Sequence, residues 1–330
     1  MTGMHAIQQH EFGPAERLVY EEVDDPVPGE GQARIAVEAA GVHLVDTLIR
    51  NGETGGPFPL PDLPMIPGRE VAGTVDATGS GVDARWLGQR VVAHLGMASG
   101  GYAELAVAEV GSLHEIPDTL TPEAAVAMIG TGRTTIAILE LGELTSDDMV
   151  LVTAAAGGIG NLLVQAARNA GAAVVGVAGG PAKVEQVRAL GATAAVDYRA
   201  PDWTKAVTDA LDGREPTVAF DGVGGALGRG ALELLGPGGR LIMFGWSSGE
   251  PTPLTTHDLY ARGLTASVAI GPRIQQRRGG LRGLEAEALA EAAAGRLVPL
   301  VGQTFPLARA ADAHIALETR ATMGKVVLVP

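Results

Sequence analysis

From Met149 onward the chain settles into one rhythm. Short apolar runs at Met149–Thr153, Ala173–Ala178, Ala194–Tyr198, Thr217–Asp221, Arg240–Gly245 and Thr265–Ile270 alternate with helical stretches that include Ile159–Ala170, Pro181–Leu190, Asp202–Leu211 and Gly225–Leu235. Strands separated by crossover helices pair in parallel rather than as hairpins. The runs lack polar alternation, as strands covered on both faces do. The expected fold class is therefore α/β, with a doubly wound parallel sheet. At 330 residues the chain is too long for one ordinary core. Residues 1 to about 122 read differently, as β-rich, with short runs at Gln32–Ala39, Val71–Ala77, Arg90–His94 and Tyr102–Val107 and one short helix at Val42–Arg50. Thr121 and Pro122 supply an N-cap and a first helical turn where the pattern changes. The tail returns to a mixed pattern, with a helix at Leu284–Ala294, an extended stretch at Leu297–Pro306, a helix at Ala308–Thr319 and a final strand at Lys325–Val329. The expected organisation is a β-rich domain of residues 1–122 and 271–330, with the doubly wound domain, residues 123–270, inserted in it. GPRIQQRRGGLRG, residues 271–283, reads as a mobile loop.

Charge narrows the partners. The formal net charge is −14 and the pI near 4.9, so nucleic acid and anionic membrane, both polyanions, are disfavoured. Aromatic residues make up 4% of the chain and leave little for base stacking. The absence of cysteine excludes disulfides, thiolate metal sites and a cysteine nucleophile. The opening MTGMHAIQQHEFG has neither a basic n-region nor an apolar h-region, so no signal peptide is expected. No apolar run approaches the roughly 20 residues of a membrane span. The expected compartment is the cytoplasm.

The stretch VTAAAGGIG, Val152 to Gly160, follows the first apolar strand and opens a helix. In βαβ dinucleotide sites, glycines at this turn permit a tight bend, close approach to a pyrophosphate and close helix packing. Gly157 and Gly160 hold the second and third glycine positions, and Ala155 holds the first. Within a series of βα units the motif points to a bound dinucleotide. The second strand ends VAGGPAK, so Ala178, Gly179 and Gly180 stand where NAD sites carry an acid for the ribose hydroxyls. Lys183, one turn into the next helix, and Tyr198, ending the third strand, can instead meet a 2′-phosphate. The expected cofactor is NADPH.

AAAGGIG, PGREVAGTV (Pro67–Val75), GVHLVDTLIRNG (Gly41–Gly52), FDGVGG (Phe220–Gly225) and GKVVLVP (Gly324–Pro330) together resemble the medium-chain dehydrogenase/reductase superfamily, in its zinc-independent NADPH:quinone oxidoreductase, zeta-crystallin-like branch. The resemblance runs along nearly the whole chain. It implies a GroES-like substrate domain, a Rossmann domain, a cleft between them, and a homodimer formed by edge pairing of the last Rossmann strand, here Thr265–Ile270. It implies that Ala156, Gly157, Gly158 and Ile159 meet the pyrophosphate, that Gly179, Lys183, Tyr198 and Arg320 surround the 2′-phosphate, and that Thr134, Phe244 and Ser247 lie near the nicotinamide. Two positions depart from the branch: His43 stands where asparagine is frequent, and Leu48 where an aromatic is.

The zinc-dependent relatives use Cys, His or Glu, and Cys around a metal. The matching positions are His43, Arg69 with Glu70, and Thr131. A guanidinium cannot ligate zinc, and two ligands fall short of the three a catalytic site needs, so no metal is expected. Without that Lewis acid, an acceptor that stabilises its own anion is favoured: a quinone or an α,β-unsaturated carbonyl. His43 reads either as the proton donor or as a polar residue bonded at a helix start. Asp46 reads as a local cap, and Arg69 with Glu70 as an ion pair. Arg273, Arg277, Arg278 and Arg282 form a basic island that reads as a solvated loop. The expected activity is NADPH-dependent hydride transfer to a small electrophile. An enoyl-thioester reductase and a non-catalytic NADPH-binding sensor are the alternatives.

Overall fold

The computed structural model describes residues 3–53, 59–96, 98–277 and 279–330, the side chain of Gln275 aside. The chain divides into two compact units, Met1–Gly130 with Leu300–Pro330, and Thr131–Pro299.

The first unit contains β1 (Gly3–Gln9), β2 (Leu18–Asp24), β3 (Gln32–Val42), α1 (Leu44–Asn51), β4 (Glu70–Thr78), β5 (Arg90–His94), β6 (Leu105–Glu109), β7 (Leu113–Glu115) and α2 (Pro122–Ala127). The chain re-enters it as β14 (Val301–Pro306), α11 (Ala310–Glu318) and β15 (Lys325–Val329). A seven-stranded sheet runs β14-β15-β3-β4-β5-β7, with β6 also paired to β3. β1 and β2 form a separate antiparallel pair. The interior is aliphatic, built on Ile7, Ile35, Val71, Val91, Leu113 and Leu328, with Tyr102 fully buried among them. Local signals stop and start the helices. Asp46 Oδ2 accepts the His43 N–H at the head of α1, and Gly52, at φ 77°, ends it in the left-handed conformation that glycine tolerates. Thr121 Oγ1 accepts the Ala124 N–H, and Pro122 opens α2.

The second unit contains α3 (Arg133–Gly142), β8 (Met149–Val152), α4 (Gly158–Asn169), β9 (Ala173–Ala178), α5 (Pro181–Ala189), β10 (Ala194–Asp197), α6 (Trp203–Ala210), β11 (Val218–Asp221), α7 (Gly225–Leu234), β12 (Arg240–Met243), α8 (Thr256–Arg262), β13 (Thr265–Val268), α9 (Pro272–Gln275) and α10 (Gly280–Ala293). Its six strands are all parallel, in the order β10-β9-β8-β11-β12-β13. The chain winds outward from β8 in one direction and from β11 in the other, so the switch point lies between β8 and β11. Leu151, Val175, Val177, Ala219 and Leu241 are buried beneath the helices, as their unbroken apolar runs require.

Three expectations change. The expected boundaries at 122 and 271 fall later, because residues 123–130 remain with the first unit, and α10 packs on α3 through an Arg133–Glu285 pair at 2.6 Å. The expected loop at 271–283 contains α9 and the start of α10. Arg277 there is held by Glu140 and Glu287, while Arg278 lies outside the described residues. Finally, Pro122–Gly142, a helical stretch of 21 residues, is long and apolar enough to cross a membrane, although 67% of its apolar 18-residue window is buried within the protein.

His314 on α11 sits in a buried polar network of the first unit. Its Nε2 lies 3.2 Å from the Tyr102 hydroxyl, which in turn donates to Asp46 Oδ2, and its Nδ1 lies 3.4 Å from Arg50. Burial, reinforced by Arg50 against the opposing pull of Asp46 and Glu318, lowers its pKa from 6.5 to about 4. Between these values the unfolded chain takes up a proton that the folded chain refuses. Stability should therefore fall by on the order of 3 kcal/mol as pH drops from about 6.5 to about 4, then level off. Urea midpoints across that window test this, and a profile in His314→Gln parallel to wild type would refute it.

Candidate functional site

Apart from Thr134 on α3, the candidate residues of the second unit lie at the carboxyl ends of its parallel strands or in the turns that follow them, the edge where doubly wound sheets take ligands. After β8 the chain turns sharply. Ala154 adopts φ 48°, the Gly157 N–H returns to the Ala154 carbonyl at 2.9 Å, and Gly157 caps α4. The first-turn N–H groups of α4, at Gly158 and Ile159, have no partner within the helix. Gly160 belongs here for its size, since a Cβ on it would drive into the Ala154 carbonyl. Ala156 is buried at the same turn. The arrangement offers open amides and a helix N-terminus to an anion.

At the end of β9 a second group converges. Gly180 (φ 96°) caps α5, whose third residue is the half-buried Lys183. The Tyr198 hydroxyl would stand 2.6 Å from a Cβ built on Gly179. Two residues missed by the sequence reading join them. Asp197 Oδ1 accepts the N–H groups of Gly180, at 3.0 Å, and Arg199, at 2.9 Å, which lower its pKa. The Arg199 guanidinium would stand 2.9 Å from a Cβ on Gly180. The turn thus holds a carboxylate that β9 itself lacks, beside a phenol and a guanidinium, with Lys183 on the first turn of α5. The signal was present in VDYRA, but the crossing from β10 to β9 depends on strand register, which pairs Asp197 with Ala178.

The third group borders β11 and β12. Asp221 is fully buried, with Oδ1 accepting from Thr153 Oγ1 at 2.8 Å and from the Val223 N–H at 3.0 Å, and Oδ2 accepting from Thr252. These bonds fix the Gly222–Gly225 loop. The ring of Phe244 lies against Gly222, where a side chain would displace it. The N–H groups of Ser247 and Ser248 donate to the carbonyls of Gly222 and Val223. Thr134 is half-buried near the start of α3.

His43 and Arg320 belong to the first unit. Arg320 follows α11 at φ 56° and is exposed. His43 enters a buried charged cluster. Antiparallel pairing sets Val326 opposite Val42 and Val71 opposite Ala40, so β15, β3 and β4 bring Lys325, His43 and Glu70 together. Lys325 Nζ lies 2.7 Å from Glu70 Oε2 and 2.8 Å from His43 Nε2. His43 Nε2 is also 2.7 Å from Glu70 Oε1. Glu70 is 0% and Lys325 4% exposed. Burial pushes the Glu70 pKa up, but His43 and Lys325 outweigh it and hold the carboxyl well below its usual range. Gly41 and Gly130 wall the carboxylate, and a Cβ on either would overlap it.

The expected Arg69–Glu70 pair does not form. Arg69 binds Asp46 Oδ1 at 3.2 Å, while Glu70 takes Lys325, because neighbouring residues of an extended chain point to opposite sides. Asp46 is a local cap and a pairing partner for Arg69, as its position after His43 implies.

Two family descriptions match this sequence: an alcohol dehydrogenase GroES-like domain over residues 29–118, and a zinc-binding dehydrogenase over residues 158–284. A quinone oxidoreductase of Pseudomonas aeruginosa is 32% identical over 98% of this chain and 99% of its own length. The chain belongs to the medium-chain dehydrogenase/reductase superfamily, in its quinone oxidoreductase branch. A 2-haloacrylate reductase of a Burkholderia species is 31% identical, covering 97% of both chains. The crystal structure of Escherichia coli quinone oxidoreductase complexed with NADPH superimposes with a TM-score of 0.87 at 30% identity, over 99% of this chain and 100% of that one.

The zinc in the name of that family description can be tested against this member's residues. Among the described residues no three His, Cys, Asp or Glu side chains converge to hold a metal. The point between His43 and Glu70 already receives a cation, the ammonium of Lys325. A divalent ion there would meet that charge directly, and the donor set does not fit one.

Gly160→Ala should destabilise the protein by about 1–3 kcal/mol through overpacking at the turn. Thermal unfolding measures it, and an unchanged Tm would show that the turn opens to admit a methyl group.

Proposed function

We propose that this protein is an NADPH-dependent oxidoreductase that reduces a quinone or an α,β-unsaturated carbonyl without zinc. The observation that carries the reading is the β9–α5 turn, where the Tyr198 hydroxyl and the Arg199 guanidinium face Gly179 and Gly180 and Lys183 stands on the first turn of α5. Their two positive groups and one phenol suit a 2′-phosphate, and Arg199 counters the Asp197 carboxylate. The crystal structure of a relative complexed with NADPH supports the same cofactor.

The residues fit the dinucleotide. Ala156, Gly157, Gly158 and Ile159 would hold the pyrophosphate at the α4 N-terminus, where the amides of Gly158 and Ile159 have no partner within the helix. Gly179, Lys183, Tyr198 and Arg199 would hold the 2′-phosphate. Thr134, Phe244 and Ser247 would border the nicotinamide, with Asp221 fixing the loop beneath Phe244. NADPH, when bound, supplies the hydride. The chain's own task is to orient the two reactants, exclude water and return a proton. His43 is the proposed proton donor. A quinone or enone suits this equipment, since its oxygen takes up the developing charge through conjugation without a Lewis acid. The names of the relatives, quinone oxidoreductase and 2-haloacrylate reductase, support this acceptor class. A homodimer is also proposed, supported by the position of β13 at the open edge of the sheet with Val268 exposed on it. The proposed compartment is the cytoplasm; a chain without cysteine draws nothing from an oxidising one.

Oxidation of NADPH and NADH, followed at the nicotinamide absorbance with 1,4-benzoquinone, 9,10-phenanthrenequinone and an enone, tests the reading. Turnover should favour NADPH. Lys183→Met should raise the KM for NADPH about tenfold or more, the value of one charge-assisted bond, and leave that for NADH unchanged. A preference for NADH in the wild type would refute the cofactor assignment.

A further inference from the structure

An acid at the adenosine end of a doubly wound sheet ordinarily marks an NAD site, because its carboxylate takes the ribose 2′-hydroxyl and leaves no place for a 2′-phosphate. Asp197 stands at that end, but its bonds are of another kind. It closes β10 and lies opposite Ala178, the last residue of β9. Its Oδ1 accepts two backbone N–H groups at once, from Gly180 at 3.0 Å and from Arg199 at 2.9 Å. The first belongs to the β9–α5 turn, the second to the residue that carries the guanidinium. Two further bonds fix the same corner: the Tyr198 N–H donates to the Ala178 carbonyl at 3.2 Å, and the Ala200 N–H to the Asp197 carbonyl at 3.1 Å. The turn needs this fastening. Gly179 and Gly180 have no side chains to pack, Gly180 sits at φ 96°, and glycine loses more freedom on ordering than any other residue. The space beside them is filled from β10. The Tyr198 hydroxyl and Arg199 Nε would stand 2.6 and 3.2 Å from a Cβ on Gly179, and Arg199 Nη1 2.9 Å from one on Gly180. The Arg199 guanidinium donates no hydrogen bond to the described residues, so its planar fork of donors is left for a ligand.

We propose that Asp197 is the positioning residue that selects a 2′-phosphate: by tying the Gly180 and Arg199 amides to one oxygen, it holds the guanidinium against the glycine turn and so favours NADPH over NADH. The proposal rests on the NADPH reading given above. Asp197 acts through Arg199 and does not itself meet the phosphate, since two anions in contact repel. The role is the reverse of the acid in an NAD site. There the carboxylate faces the ribose and excludes the phosphate; here its oxygen is consumed by backbone N–H groups, and the side chain two residues later supplies the opposite charge. The two roles predict effects of opposite sign when the carboxylate is removed.

Calorimetric titration of the intact protein with adenosine 2′,5′-bisphosphate and with adenosine 5′-monophosphate isolates the 2′-phosphate and needs no acceptor. The wild type should bind the bisphosphate more tightly. Asp197→Ala should weaken bisphosphate binding about tenfold, the worth of one charge-assisted bond, and leave the monophosphate unchanged. Asp197→Asn keeps an oxygen for both amides and should restore the wild-type ratio. In an Arg199→Met background, Asp197→Ala should add little, because the loss runs through the guanidinium. In turnover, Asp197→Ala should raise the KM for NADPH and leave kcat in place. Tighter bisphosphate and weaker monophosphate binding in Asp197→Ala would reveal an ordinary ribose acid and overturn the proposal. A full additional loss in the Arg199→Met background, or Asp197→Asn behaving like Asp197→Ala, would overturn it as well. Hydrogen exchange in the native chain guards against an unstable variant: the Gly180 and Arg199 amides should both be protected, and fast exchange at either would refute the shared bond. Equal affinity of the wild type for the two nucleotides counts against the NADPH reading itself, whereas a preference retained in Asp197→Ala counts against the positioning role alone.

Discussion

A carboxylate with no exposure to water must be answered by charge, and Glu70 is answered by a lysine 255 residues further along the chain. The pair ties β15, the last strand, to β4, with β3 between them. Removing either partner would strand a buried charge, a loss of roughly 3–5 kcal/mol. The architecture around the pair is arranged to admit it: Gly41 and Gly130 have no side chain where the carboxylate lies, and the pairing of β15 with β3 brings the ammonium beside the ring of His43. The first unit therefore closes on a polar centre rather than on aliphatic packing alone, and the same centre presents its only half-open member, His43, to solvent.

The second unit follows a different logic. Its strands are buried on both faces, so their stability comes from continuous apolar runs, and their chemistry is confined to the strand ends. Each carboxyl end contributes a distinct device. After β8 it is open amides, after β9 a glycine turn flanked by basic groups, and after β11 the Asp221 carboxylate, which consumes hydroxyls and N–H groups to fix a loop. Asp221 resembles Glu70 in burial but not in effect. The bonds it accepts come from hydroxyls and backbone N–H groups, and they hold geometry.

What the sequence made legible follows from this contrast. The six strands and their crossover helices were readable because burial on both faces leaves an unmistakable apolar run, as in Ala173–Ala178, where the expected and observed strand coincide. The β1–β2 pair was not readable. In β2 most side chains face water, and a strand such as LVYEEVD lacks the run that would announce it. The glycine turn could be assigned from local spacing, whereas Asp197 and Arg199 reach it from a neighbouring strand, through a register that no local pattern encodes. Lys325 lay within GKVVLVP in plain view, but its partners are fixed by three-strand pairing between distant segments. The mistaken pairing of Arg69 with Glu70 shows the same limit at the shortest range. Adjacent charges in an extended chain face apart, so proximity in sequence argues against contact rather than for it.

The position of Lys325 also bears on the kind of chemistry the fold can support here. A metal ion and an ammonium both bring positive charge to the point between His43 and Glu70, but they do different things with it. A divalent ion polarises an oxygen directly and needs an open coordination position. An ammonium at 4% exposure acts through the groups it touches, the Glu70 carboxylate and the His43 imidazole. Its charge therefore answers the Glu70 carboxylate and does not polarise a substrate oxygen. An acceptor reduced without a Lewis acid must bear its own developing charge, which a conjugated carbonyl does and a simple ketone does poorly. The donor set at this point, a carboxylate answered by an ammonium beside an imidazole, is thus built for charge balance rather than for coordination, and the acceptor class proposed for this member is one that needs no metal.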